Sequence, residues 1–200
     1  IRVAIKISFS ADIQLFFRLF SVHAHEWFPV FKPAGEDGLG FLACHLRPES
    51  RGTVRLRSSN PLDNPKIVNN FFSTEYDRRA IRQSFKYLRK IAGGSSFEGV
   101  RGDESVPGKD VQSDDEIDAY IRQTANTVFH PAGTCRMGVD EQSVVDSKLR
   151  VRGSQNLRVV DASVMPDLVG GNINAPVLMI ADKASDMILG NDQLPSAELD

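Results

Sequence analysis

Residues 129–138 read FHPAGTCRMG, a run that crowds a histidine, a proline, two glycines, a cysteine and an arginine together. A purely structural segment has no need of that mixture. Proline disfavours the helical region for the residue before it, so His130 is expected in extended backbone. It follows a helical pattern over 113–126 and precedes a glycine turn, which gives its ring a fixed direction. An imidazole titrates near pH ~6.5 and takes up a proton close to neutrality. A lone histidine in such a place more often satisfies a turn carbonyl, so its company decides.

That company comes from two other stretches. VGGNINAP (169–176) sets two glycines, two asparagines and a proline at the start of the last helical run. A helix start presents unpaired N–H groups and a positive dipole end, ready for an anion. Asn172 and Asn174 add side-chain donors. An asparagine N-cap explains Asn174, but not Gly170, Gly171 and Asn172 together. NLRVVDAS (156–163) reads as an apolar strand ending in Asp161. Ligands of α/β sheets gather outside the carboxyl ends of strands, although a plain turn cap accounts for Asp161 equally well.

Composition narrows the classes. With a net charge of −2 over 200 residues, the chain has no electrostatic case for nucleic acid or an anionic membrane. Two cysteines, Cys44 and Cys135, make no disulfide framework and favour a soluble protein of a reducing, cytoplasmic compartment. No apolar run reaches membrane-spanning length, and the stretch Leu15 to Phe20 is cut by Arg18. The opening IRVAIKISFSADIQLFF has no initiator Met and no signal-peptide plan, and reads as text cut from something longer.

Along the chain, 12–17, 40–46 and 52–58 read as strands without long crossovers, which favours an antiparallel sheet. The mixed aromatic, proline and glycine text of 21–38 reads as a structured loop. A helix is expected over 73–94, with Thr74 and Asp77 at capping-box spacing and Ile81, Phe85, Leu88 and Ala92 on one face. Ser113 and Glu116 open a second helix with a full capping box. VVDSKLRV (144–151) and NLRVVDAS read as short strands. The last helix is expected after Asn174, with Pro176 in its first turn and Gly190 as its stop.

Two signals are set aside. GLGFLA (38–43) fits a relaxed dinucleotide pattern but follows a polar loop, not a strand, and opens no helix. The spacings of His23, His25 and the Cys44-His45 pair match no zinc template, so no metal is expected.

With these residues assembled, the sequence resembles the C-terminal half of the glucose–methanol–choline (GMC) family of flavin oxidoreductases. The carrying text is HPAGTCRMG (130–138) and the run from VVDSKLRV to ASDMI (144–188); ADIQLFF (11–17) and LRPESRGTVRLRSSNPLDNPKI (46–67) resemble the family's substrate-domain strands. The resemblance implies that His130 is the catalytic histidine. Asn172 takes the second catalytic position, a histidine in some members and an asparagine in others. Asp161, Ala162, Ile173, Asn174 and Ala175 are implied to lie at the cofactor, FAD, with the last helix pointing its positive end at charge that develops on the reduced flavin.

The implied fold is mixed, α+β and α/β. Residues 1–129 form an antiparallel substrate-domain sheet with flanking helices, and 130–200 carry the active-site motif with a strand and helix that complete a Rossmann-like FAD domain. The family's G-x-G-x-x-G unit is absent, so the N-terminal FAD-binding portion of the same enzyme, possessed in the same polypeptide or as a separate chain, is the implied partner. The implied reaction oxidises a small-molecule alcohol to an aldehyde or ketone by hydride transfer to FAD, with His130 as base. A family lyase acting on cyanohydrins, and a non-catalytic fragment that complements its N-terminal half, are the rival readings.

Overall fold

The computed structural model describes residues 4–6, 11–20 and 37–192. The loop expected over 21–38 falls, but for its last two residues, outside the described residues, as do His23 and His25. The chain divides into two compact units, Ile1–Val128 and Phe129–Asp200.

In the first unit, β1 (Ala4–Lys6), β2 (Ala11–Phe20) and β3 (Asp37–His45) form an antiparallel sheet in that order. The register pairs Ile13 with His45, Leu15 with Ala43 and Phe17 with Phe41, which puts these residues on one face. Ile13 and Leu15 are buried there. The rings of Phe17 and Phe41 meet at 5.3 Å, and Phe97 of a 3-10 turn, Ser95–Phe97, meets both at 5.8 and 5.7 Å. The GLGFLA text lies inside β3. The strand expected over 52–58 shortens to β4 (Thr53–Arg55), paired antiparallel with β5 (Lys66–Val68). The cause is local: Ser58 and Asn60 both donate side-chain hydrogen bonds to Asp63, and Leu62 N–H donates to Asn60 Oδ1, folding the backbone into a polar turn.

Helix α1 (Glu75–Ala92) starts where its cap predicts, with Thr74 Oγ1 accepting from the N–H of Asp77. Asp77 does not complete the box. Its carboxylate turns to the loop after β3, where Oδ1 accepts from Glu49 N–H at 2.9 Å and Oδ2 from Ser50 N–H at 2.7 Å. The apolar face expected on α1 is only half-buried. The stripe that approaches the sheet is Asp77, Ala80 and Ser84, all nearly inaccessible, because small side chains allow closer packing. Helix α2 (Asp114–Thr124) carries the full capping box, with Ser113 Oγ accepting from Glu116 N–H and the Glu116 carboxylate accepting from Ser113 N–H. It meets α1 through Phe85 and Tyr120, 5.8 Å apart, and through Arg82, whose Nε donates to Asp118 at 2.6 Å.

Under the sheet sits a small polar cluster. His45, 7% exposed at its side chain, places Nδ1 3.6 Å from Asp77 Oδ1 and its ring 5.5 Å from that of Tyr76. Asp12 is buried beside them, and neither its Oδ2 nor either ring nitrogen of His45 has a hydrogen-bond partner among the described residues. Burial pushes the His45 imidazole below its ordinary value, against the pull of Asp77, Asp12 and Glu49. Burial works to raise the Asp77 carboxyl, but hydrogen bonds from Ser50 and Glu49 outweigh it and hold the group below its usual range.

The second unit has no regular strand among the described residues. The two expected strands reduce to isolated bridges, Met137 with Val145, Val145 with Val151 and Arg150 with Arg158. Asp146 is the reason: its Oδ1 accepts from the N–H groups of Lys148 and Arg150, which bends the chain where a ladder would continue. Val145, Leu149, Val164 and Ala184 form the core, with Met137, Val159, Val160 and Ile180 against it. Helix α3 (Asn174–Leu189) ends at Gly190 with φ 73°, as its stop signal predicts. Its start differs from expectation. Ile173, not Asn174, occupies the cap position, and no side chain caps the helix. Ile173 is buried and Asn174 exposed, so burial of the isoleucine fixes where the helix begins.

Candidate functional site

In the second unit, His130 lies on an irregular segment that runs from Phe129 to Gly138. The backbone enters the left-handed region at Phe129 (φ 62°) and again at Gly133 (φ 85°), turning the chain on either side of the His130–Pro131 pair. Beyond that turn, three N–H groups donate to three successive carbonyls: Gly133 to Ala162 at 3.4 Å, Cys135 to Ser163 at 3.0 Å and Met137 to Val164 at 2.8 Å. The acceptors belong to a 3-10 turn, Ala162–Val164, whose Val164 side chain lies in the core with Ala184 of α3. His130 itself is half-buried.

The far end of the motif has a structural explanation. Arg136 reaches both oxygens of Asp140, at 2.8 and 2.6 Å, and Ser143 Oγ donates to the same carboxylate at 2.9 Å. Hydrogen bonds from Arg136 and Ser143 hold the Asp140 carboxyl well below its usual range. A Cβ on Gly138 would stand 2.3 Å from Ser143 Oγ, so only glycine fits against this clamp. Sequence reasoning missed Asp140 and Ser143. The i,i+4 spacing of Arg136 and Asp140 was the available signal.

Asp161 sits where its strand was expected to end, and its side chain caps the turn: Oδ1 accepts from Ser163 N–H at 2.7 Å. At the start of α3, Gly171 N–H closes a turn onto Val169 O at 2.7 Å. Asn172, Asn174 and Ala175 are exposed. The first helical bond is Val177 N–H to Ile173 O at 2.9 Å, and Pro176 has no N–H to offer. The amides of Asn174 and Ala175 have no partner among the described residues. The structure thus bonds the motif segment to the turn at Ala162 and packs that turn in one core with α3. It makes no bond between the side chains of His130 and Asn172. Among the described residues, no three His, Cys, Asp or Glu side chains are arranged to hold a metal, and no helix is long and apolar enough to cross a membrane.

Residues 48–181 match the GMC oxidoreductase family over more than half of the chain, a span that holds every residue of this site. The chain belongs to the GMC oxidoreductase family.

Among its GMC relatives, the oxygen-dependent choline dehydrogenase of Proteus mirabilis is 43% identical over 155 residues, covering 78% of this chain and 28% of that protein. The enzyme of the same description from Pseudomonas fluorescens is 46% identical, over 78% of this chain and 27% of its own length. Among solved structures, pyridoxine 4-oxidase from Mesorbium loti superposes with a TM-score of 0.81 at 33% identity, over 92% of this chain and 35% of that one. Formate oxidase of Aspergillus oryzae gives 0.81 at 32% identity, over 90% and 32%. This chain therefore spans roughly a third or less of the length of these relatives. The family is one of FAD-dependent flavoproteins.

The open start of α3 suits such a cofactor. Two unpartnered N–H groups and two exposed asparagines lie at a positive dipole end, a donor set that fits carbonyl and anionic oxygens. Ile173 fits only through its backbone, since its side chain is buried.

Proposed function

We propose that this chain is the C-terminal portion of an FAD-dependent GMC oxidoreductase that oxidises a small alcohol to an aldehyde or ketone. His130 takes the hydroxyl proton onto a ring nitrogen as the C–O double bond forms. Asn172 donates its side-chain amide to the substrate oxygen and holds it in place while charge builds there. The N–H groups of Asn174 and Ala175, with the backbone of Ala162 and Ile173, hold the cofactor. FAD, when bound, supplies the acceptor for the hydride that leaves the carbinol carbon.

One observation carries this reading: hydrogen bonds join the segment after His130 to the turn at Ala162, and one core joins that turn to α3, whose start has no side-chain cap. The dinucleotide-binding part would be supplied by residues outside this chain, with α3 packed against it. The apolar residues that α3 leaves exposed, Leu178, Met179, Ile188 and Leu189, support that placement. The names of the 43–46% identical relatives make choline the first alcohol to assay.

The test is His130→Ala in the full-length protein. Turnover should fall by about 10²- to 10⁴-fold, the usual worth of a general base, with flavin content retained. Near-normal turnover would remove His130 from the mechanism.

A further inference from the structure

We infer that Asp161 is a positioning residue for His130, acting through the Ala162–Val164 turn. The inference rests on the reading of His130 as the base. It starts from what the Asp161 carboxylate does: Oδ1 accepts from Ser163 N–H at 2.7 Å, with the aspartate backbone extended at φ −160°. That bond, with Val164 N–H to Asp161 O and Met165 N–H to Ala162 O, both at 3.2 Å, shapes a three-residue turn. The carbonyls of this turn are the ones that receive the N–H groups of the motif segment.

The ladder is graded. Its rung at Met137 is 2.8 Å long, the one at Cys135 3.0 Å and the one at Gly133, nearest His130, 3.4 Å. The short end is anchored because Val164 is fully buried in the core, 1% exposed. The long end has no such anchor. Ala162 and Ser163 are only partly buried, and the Asp161 cap is what fixes the direction of their carbonyls. Without it the Gly133 rung is the first to open, and His130, three residues further along, loses its fixed direction. The turn also shares its core with Ala184 of α3, whose chain begins just after Asn172. One cap thus bears on the register of both proposed catalytic side chains.

The cap needs an acceptor oxygen and no charge, whereas a carboxylate in contact with the cofactor would be felt through its charge. The full-length holoenzyme with Asp161→Asn, Asp161→Ala and His130→Ala separates these roles. Asp161→Ala should lower kcat by about 5- to 10-fold, the usual worth of an N-cap read as a rate. It should move the limb of the kcat pH profile that belongs to His130 and speed amide exchange at residues 130–135. FAD content and flavin potential should hold. Asp161→Asn, which keeps the acceptor, should restore kcat to within about 3-fold of the parent and return the pH limb and the exchange to their parental values.

Equal losses in the Asn and Ala variants, or a changed flavin potential in either, overturn the inference in favour of a charged cofactor contact. An Ala variant with parental kcat and parental exchange overturns it as well. If His130→Ala keeps its turnover, the reading of the base is what fails, and the exchange data still decide whether Asp161 holds the strand. Should Asp161→Ala not fold, Asp161→Gly, which also removes the acceptor oxygen but costs less stability at a cap position, gives the same comparison.

Discussion

Helices α1 and α3 have 18 and 16 residues and are finished in opposite ways. α1 is closed at its start by Thr74, has acids in its first turn and Arg89 and Lys90 in its last, and turns Asp77 inward to hold the neighbouring loop. α3 has no side-chain cap and no acid in its first turn, leaves two amides without partners and exposes Leu178 and Met179 at 63% and 57%. Thr74 takes up the third amide of α1, whereas the third residue of α3 is Pro176, which has no amide, and no side chain closes that end. A helix end completed by its own sequence serves stability, and one left incomplete is free to bind.

If that division holds, damage to α1 should cost stability and spare turnover, and damage at the start of α3 should do the reverse. The largest stability effect is expected for Asp77→Ala, which strands the N–H groups of Glu49 and Ser50 beside a buried site. A loss of about 3 kcal/mol in urea unfolding of the full-length protein is expected, with kcat per folded molecule unchanged. A variant that unfolds like the parent yet turns over slowly would break the division.

At α3 the expected effect is on rate. Asn172→Ala removes one donor to a charged oxygen and should cost on the order of 10- to 100-fold in kcat, with the unfolding midpoint held. Asn172→Asp keeps the shape but sets a carboxylate beside the developing charge, so it should be slower still and should lower the flavin potential. Equal rates and potentials in the two variants would reduce Asn172 to a helix-entry residue.

A smaller loss sharpens the comparison. Ser113→Ala breaks the capping box of α2 and should cost about 1 kcal/mol of stability and nothing in turnover.

The smallest effect is a slope. Burial holds the His45 imidazole below its ordinary value, so the folded chain binds that proton less readily than the unfolded one. The stability this contributes is full above about pH 6.5 and is lost as pH falls through the depressed value. Asp77, also held low, adds a loss of the same sign further into acid, below about pH 4. His45→Gln should therefore flatten the fall in urea midpoint between about pH 7.5 and 5.5 and leave the more acidic fall in place. Parallel curves for parent and variant in the upper range would show that His45 does not set it.

What the sequence made legible follows from how far each interaction reaches. The starts of α1 and α2 could be read because Thr74 and Ser113 act on residues three positions away. The inward turn of Asp77 could not, since its partners lie 28 and 27 positions back. The strands read at 144–151 and 156–163 have the right alternation, but the Asp146 side chain competes for the backbone donors a ladder would use. Asn174 was read as the cap of α3 on its chemistry, and the burial of Ile173 moved the helix start. In the candidate site, the HPAGTCRMG string pointed to His130 without any fold. The ladder from 133–137 to 162–164 was invisible, because nothing local in either stretch announces the other.

That ladder also has a kinetic side. A segment held by three amides against one turn opens from its looser end, because releasing the anchored Met137 rung requires the two weaker ones to have gone first. The amides of Gly133, Cys135 and Met137 should therefore exchange with solvent in rank order at low denaturant and converge on one rate as the unit unfolds. His130 is then tethered to the looser end of a zipper whose closed end lies in the core, and the time for which its ring keeps one direction is set by how often the Gly133 amide lets go.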